Sequence, residues 1–151
     1  MGSLYERRGR LREAEAEYRE ALQLNPNHVQ ANAGLGAVLF IGGRFTDARE
    51  YLGRAIELRP RDLRSHIFLG LSLNHEGQFD LALQELRTAA GIDPHVANQV
   101  AGVDAQLARF ERLRDLYAAK HEAHPLDSSV LNNLAVLAYY LRDYEAPYRQ
   151  I

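Results

Sequence analysis

Apolar residues recur every three or four positions through most of the chain, the spacing of one helical face. Ala14, Tyr18 and Ala21 make one such stripe, Leu35 and Leu39 a second, and Ala48, Leu52 and Ala55 a third. Opposite the first, Glu13, Glu15, Glu17 and Glu20 alternate with Arg12 and Arg19, which predicts a solvated helix face. The stripes also repeat. Asn32-x-x-Leu35-Gly36-x-x-Leu39 returns 34 residues later as His66-x-x-Leu69-Gly70-x-x-Leu73. Gly43-x-Phe45-x-x-Ala48 returns at the same interval as Gly77-x-Phe79-x-x-Ala82, and Leu52, Ala55, Leu58 and Pro60 as Leu86, Ala89, Ile92 and Pro94. A fixed period of this length predicts stacked helical hairpins.

Each repeated position has a physical role. A glycine inside a helix costs about 1 kcal/mol relative to alanine, so Gly36 and Gly70 need a reason. Close approach of paired helices at Gly36 and Ala48, and at Gly70 and Ala82, supplies one. Gly43 and Gly77 can take the left-handed conformation that ends a first helix. Phe45 and Phe79 then close the hairpins, Pro60 stops a second helix, and Asp62 caps the next first helix.

These residues resemble the tetratricopeptide repeat family, with the large aromatic that often opens the unit missing. The resemblance implies an all-α, right-handed solenoid of antiparallel hairpins along residues 1–151. A partial repeat would span 4–28, complete repeats 29–62 and 63–96, a divergent repeat 97–127 and a truncated one 128–151. In the first, Leu11 to Leu24 is a second helix and Leu4 to Arg8 the remnant of a first, with Tyr5 in register with Leu39. The fourth lacks three residues and the turn glycine, and Val96, Val100, Val103, Leu107 and Phe110 keep helical spacing across the gap. A shortened hairpin turning near Ala108 is the favoured expectation, one continuous helix the alternative. Gly102 and Leu113 predict looser packing there. In the fifth, Asp127 or Ser128 caps a helix carrying Leu131, Leu134, Ala135 and Ala138. Tyr144 is its hairpin aromatic and Pro147 stands where Ala48 and Ala82 do. No polar capping helix is written at the end, the expectation being an excised fragment or a protein whose ends bind something.

The family's concave face binds extended peptides or helices of partner proteins. Carried over by register, the resemblance implies a groove of Gln30, Ala33, Ala37, Phe40 and Ile41 from the second repeat. Arg64, Ile67, Leu71, Asn74 and His75 come from the third, and Ser129, Asn132, Val136, Tyr139 and Tyr140 from the fifth. This lining suits an apolar or amphipathic guest. No lysine stands among these positions, which argues against the carboxylate-gripping mode of one family subgroup.

Composition narrows the remaining chemistry. The 151 residues are 46% hydrophobic and 25% charged, the balance of a globular domain. A net charge of −2 disfavours a nucleic-acid surface. Without cysteine there is no disulfide, thiolate zinc site or thiol nucleophile, and neither a cytoplasmic nor a periplasmic location is selected. No targeting segment or membrane-length apolar run is visible. Arginine dominates over the single Lys120, the compositional habit of a GC-rich bacterial genome. His121-Glu122-Ala123-His124 has its histidines three apart, one short of the zinc-protease spacing. His28, His66, His75 and His95 are dispersed, and Gly34-Leu35-Gly36 sits within a helix. No catalytic set, cofactor or metal site is expected. The reading is a non-catalytic protein-binding module. Its rivals are an accessory domain of a larger enzyme or envelope-assembly protein, a scaffold self-associating through Leu4, Tyr5, Tyr139, Tyr140, Tyr144 and Tyr148, and an RNA-binding helical repeat, which the net charge disfavours.

Overall fold

A computed structural model describes residues 9–141, apart from the side chains of Ala138, Tyr140 and Leu141. The expectations for Leu4 to Arg8, Tyr144, Pro147 and Tyr148, and for the Tyr140 side chain, lie outside these residues. Seven α-helices run in order: α1 (Leu11–Leu24), α2 (Val29–Ile41), α3 (Phe45–Leu58), α4 (Leu63–His75), α5 (Phe79–Ile92), α6 (Ala97–Ala123) and α7 (Ser128–Leu141). A 3-10 turn, Pro94–Val96, precedes α6. Among the described residues there is no strand. The fold is an all-α stack of antiparallel hairpins: α2 pairs with α3, α4 with α5, and α2 also touches its counterpart α4.

Sequence-local chemistry sets the helix ends. Gly43 and Gly77 stand at φ 76° and 73°, a region closed to most side chains. Their turns let Arg44 N donate to Leu39 O at 2.9 Å and Gln78 N to Leu73 O at 2.8 Å, which satisfies carbonyls the helix would otherwise leave open. Asp62 caps α4 by accepting from Ser65 N, and Asp127, not Ser128, caps α7 by accepting from Ser129 N.

At Gly36 and Gly70 the paired helices come together. A Cβ on Gly36 would lie 2.5 Å from Leu52 Cγ and 3.2 Å from the Ala48 carbonyl oxygen; on Gly70 it would lie 2.7 Å from Leu86 Cγ and 3.1 Å from the Ala82 carbonyl. Four residues before Gly36 and Gly70 stand Asn32 and His66. Asn32 Nδ2 donates to the carbonyl of Pro26 at 3.0 Å, and His66 Nε2 meets that of Pro60 at 2.9 Å. Each buried polar side chain thus ties its helix to the proline that ended the previous hairpin. His66 Nδ1 also bonds Glu85 on α5 at 2.7 Å.

Two apolar clusters make the core, one around Leu35, Leu39 and Leu52 and one around Phe79, Leu83 and Leu86, with Leu69 packed against both. Volumes are exchanged between repeats. The Tyr18 ring fills the space above Gly34, whereas the positions 34 residues on are Phe68 and Leu52, large and small reversed. Polar clamps join the first two seams. Glu15 on α1 takes Arg44 at 3.0 Å, and Arg49, its counterpart 34 residues on, takes Glu76 at 2.7 Å with the charges reversed.

At the third seam that position is Leu83, which is buried with Val96 and Val103. Here the structure departs from the favoured expectation: α6 is one helix of 27 residues with no turn near Ala108. At 1.5 Å per residue it is about 40 Å long. The reason is local. Both hairpin turns rest on a glycine at positive φ, and α6 has none at the turn position, while its apolar spacing passes through unbroken. Leu107 and Phe110 pack against the second cluster, Phe110 stacking on Phe79 at 5.5 Å. Val103 is the only buried residue of α6, and a Cβ on Gly102 would meet nothing within 4 Å, so packing is indeed looser there. α7 packs against α6.

Candidate interaction surface

The inner face is built by the adjacent first helices α2 and α4. Of the groove positions expected from register, Gln30, Phe40 and Ile41 on α2 and Arg64, Ile67, Leu71, Asn74 and His75 on α4 are all partly or fully exposed; Ile41 keeps 51% of its surface. Ala33 and Ala37 do not line the inner face. They are 4% and 0% exposed, because α2 is sandwiched between α1, α3 and α4 and a methyl group is too short to emerge from that seam. The counterparts Ile67 and Leu71 are long enough.

An aromatic cluster stiffens one end of this face. His75 stacks on Phe45 with centroids 4.4 Å apart and planes 4° from parallel. Phe40 lies against both, at 5.7 Å from His75 and 5.5 Å from Phe45, and reaches Phe68 at 5.3 Å. The Arg64 guanidinium sits 5.8 Å from the Phe68 ring centre, a cation–π distance. Phe68 was not among the sequence-derived groove residues. Its one signal was the change of volume from Gly34 at the same register. Asn74 adds a polar element: its Oδ1 is buried with no hydrogen-bond donor among the described residues.

Ser129, Asn132, Val136 and Tyr139 are exposed on α7, which packs against α6. A cleft of about 610 Å3 between α6 and α7 is lined by Leu116, Tyr117, Lys120, Ser129 and Asn133 among others. Among the described residues no three His, Asp or Glu side chains converge as a metal site. His121 lies in the last turn of α6, and His124 ends that helix, its N–H bonding Lys120 O at 2.9 Å. No helix among the described residues is long and apolar enough to cross a membrane.

A tetratricopeptide repeat model matches residues 1–52 and 42–97, together more than half of the chain. The chain belongs to the tetratricopeptide repeat family. Solved tetratricopeptide structures share its fold at low identity. The first such domain of Spaghetti (RPAP3), bound to the HSP90 peptide SRMEEVD, is 16% identical with a TM-score of 0.67 over 71% of this chain and 87% of that one. MamA is 18% identical with a TM-score of 0.65 over 99% and 91%. YrrB, described as a tetratricopeptide protein with an unusual peptide-binding site, is 23% identical with a TM-score of 0.63 over 97% and 77%. No curated protein sequence matches the chain. Within the repeat frame, Phe40 against Asn74 and Ala37 against Leu71 vary between hairpins, while the glycine and alanine columns serve packing.

Proposed function

We propose that this chain is a non-catalytic protein-interaction module that holds an apolar or amphipathic segment of a partner, as peptide or helix, on the inner face of α2 and α4. The observation that carries this reading is the surface Ile41, Ile67 and Leu71 leave exposed. These large apolar side chains stay partly open on two adjacent helices, although the repeat code buries most apolar residues of the same hairpins. Apolar surface grouped in this way marks interaction sites. Phe40, Phe68 and His75 hold it in shape, and Arg64 and Asn74 offer polar contacts that would orient a guest. The peptide-bound Spaghetti domain supports the reading as a relative of the same fold.

The test is affinity capture of partners with the native chain and with Leu71→Glu combined with Arg64→Glu, both on the inner face and outside the packing columns. A partner retained by the native chain and lost by the folded double variant supports the proposal. Equal retention by both chains, with loss on Tyr139→Glu, would move the site to α7.

A further inference from the structure

The outer face holds a cleft of about 580 Å3 between the second helices α3 and α5. Leu69 and Leu73 of α4 lie at its lining, Leu81 of α5 stands beside them 45% exposed, and Arg49, Glu50 and Glu85 are charged members of its wall. The seam before it shows why it is open. Leu73 is 4% exposed, as buried as its counterpart Leu39. Leu69 is only partly buried, whereas its counterpart Leu35, at the same register between α1 and α3, is 0% exposed. There Tyr51 packs on the core and Arg19 crosses to it, 5.9 Å from its ring centre, donating from Nη1 to its hydroxyl at 3.4 Å. Thirty-four residues on, Tyr51 becomes Glu85 and Arg19 becomes Gly53. Glu85 turns towards His66, and at Gly53 an added Cβ would meet nothing within 4 Å. The second seam therefore lacks both side chains that cover the first.

Charge then selects the occupant. Arg49 is committed to Glu76 at 2.7 Å. Glu50 makes no hydrogen bond or ion pair among the described residues, and Glu85 spends Oε2 on His66 while Oε1 accepts nothing there. Carboxylate oxygen without a cation thus stands over an apolar lining. We propose that this cleft is a second docking site, on the face opposite the inner groove, for a basic segment of a protein partner. An arginine or lysine of that segment would lay its aliphatic stem on Leu69 and Leu81 and bring its cation to Glu50 and Glu85. Gly53 and Glu85 together stand where the first seam has Arg19 and Tyr51.

Amide 1H–15N spectra of the native chain, titrated with three probes, test this. The probes are acetyl-Leu-Arg-Leu-Arg-amide, acetyl-Leu-Glu-Leu-Glu-amide and hexaamminecobalt(III), a compact cation. The arginine peptide should give saturable shifts at Gly53, Leu69, Leu81 and Glu85 with a dissociation constant on the order of 1 mM. Gly53→Arg, which restores the cover present in the first seam, should weaken it at least about fivefold, and Glu50→Gln about threefold. Equal shifts from the acidic peptide would overturn the proposal. So would equal shifts from hexaamminecobalt(III), which has charge but no aliphatic stem, or shifts confined to Ile41, Ile67 and Leu71. If Gly53→Arg loses its dispersed spectrum, undiminished binding by Glu50→Gln is sufficient to overturn it.

Discussion

Gly36 and Gly53 sit one helix apart in the same repeat, and their replacement by alanine should change stability in opposite directions. At Gly36 the new Cβ would stand 2.5 Å from Leu52 Cγ, 2.7 Å from Cδ2 and 3.2 Å from the Ala48 carbonyl oxygen. Carbon atoms in favourable contact are about 3.5–4.0 Å apart, so the overlap is roughly 1 Å. Leu52 is fully buried, packed with Leu35, Leu39 and Ala48, and the carbonyl cannot retreat unless α2 and α3 separate. Overpacking of this kind costs about 1–3 kcal/mol. The gain in helix propensity returns about 1 kcal/mol. With a branch carbon and a backbone oxygen both in the way, the upper half of the range applies, and Gly36→Ala should lose about 1–2 kcal/mol net. At Gly53 the Cβ would meet nothing, leaving only the propensity gain of about 1 kcal/mol. Urea unfolding followed by helical circular dichroism and by tyrosine fluorescence measures both. Coincidence of the two signals establishes that a single unfolding free energy is defined. The expected separation between variants is about 2–3 kcal/mol. If Gly36→Ala proves as stable as Gly53→Ala, close approach is not the reason for the glycine column.

The continuity of α6 and the clamp at the first seam are also open to measurement. Ala108→Pro lies in the middle of α6 and should cost about 3 kcal/mol or more in the same unfolding assay, whereas a turn at that point would accommodate proline with little loss. Burial pushes the Glu15 carboxyl up, but hydrogen bonds and attraction from Arg19 and Arg44 outweigh it and hold the group below its ordinary value of 4.5. A lowered carboxyl pKa contributes stability that is present above the unfolded value and lost as pH falls through the folded one. Unfolding midpoints measured from pH 6 to pH 3 should therefore drop less steeply for Glu15→Gln than for the native chain, and parallel curves would exclude the clamp.

Surface positions were legible in part. Gln30, Phe40 and Ile41, with the five positions of α4, keep exposed surface at their register positions because a helix repeats its directions every 3.6 residues. Ala33 and Ala37 failed for a reason periodicity does not contain, the depth of the seam relative to the length of a side chain. Phe68 was missed because it belongs to a column that Gly34 makes look structural. The wall of the outer cleft was invisible too, since no residue in it is unusual until Arg19 and Gly53 are compared across two seams.

By itself the sequence determined whatever depends on neighbours within one turn or one hairpin. The 34-residue interval, the left-handed glycines at 43 and 77, the cap at Asp62 and the small residues at Gly36, Ala48, Gly70 and Ala82 all encode local geometry. The hairpin-or-helix choice at Ala108 was balanced in sequence, because missing turn chemistry and unbroken apolar spacing suggest continuity while repeat precedent suggests a turn. In the structure the missing turn glycine and the unbroken spacing prevail, and the single helix packs Val96 and Val103 with Leu83, which stands in place of a polar clamp. The pairings Glu15 with Arg44, Arg49 with Glu76 and His66 with Glu85 join residues 19 to 29 apart. Such contacts are set by how neighbouring helices lie together, and a helical period carries no information about that angle.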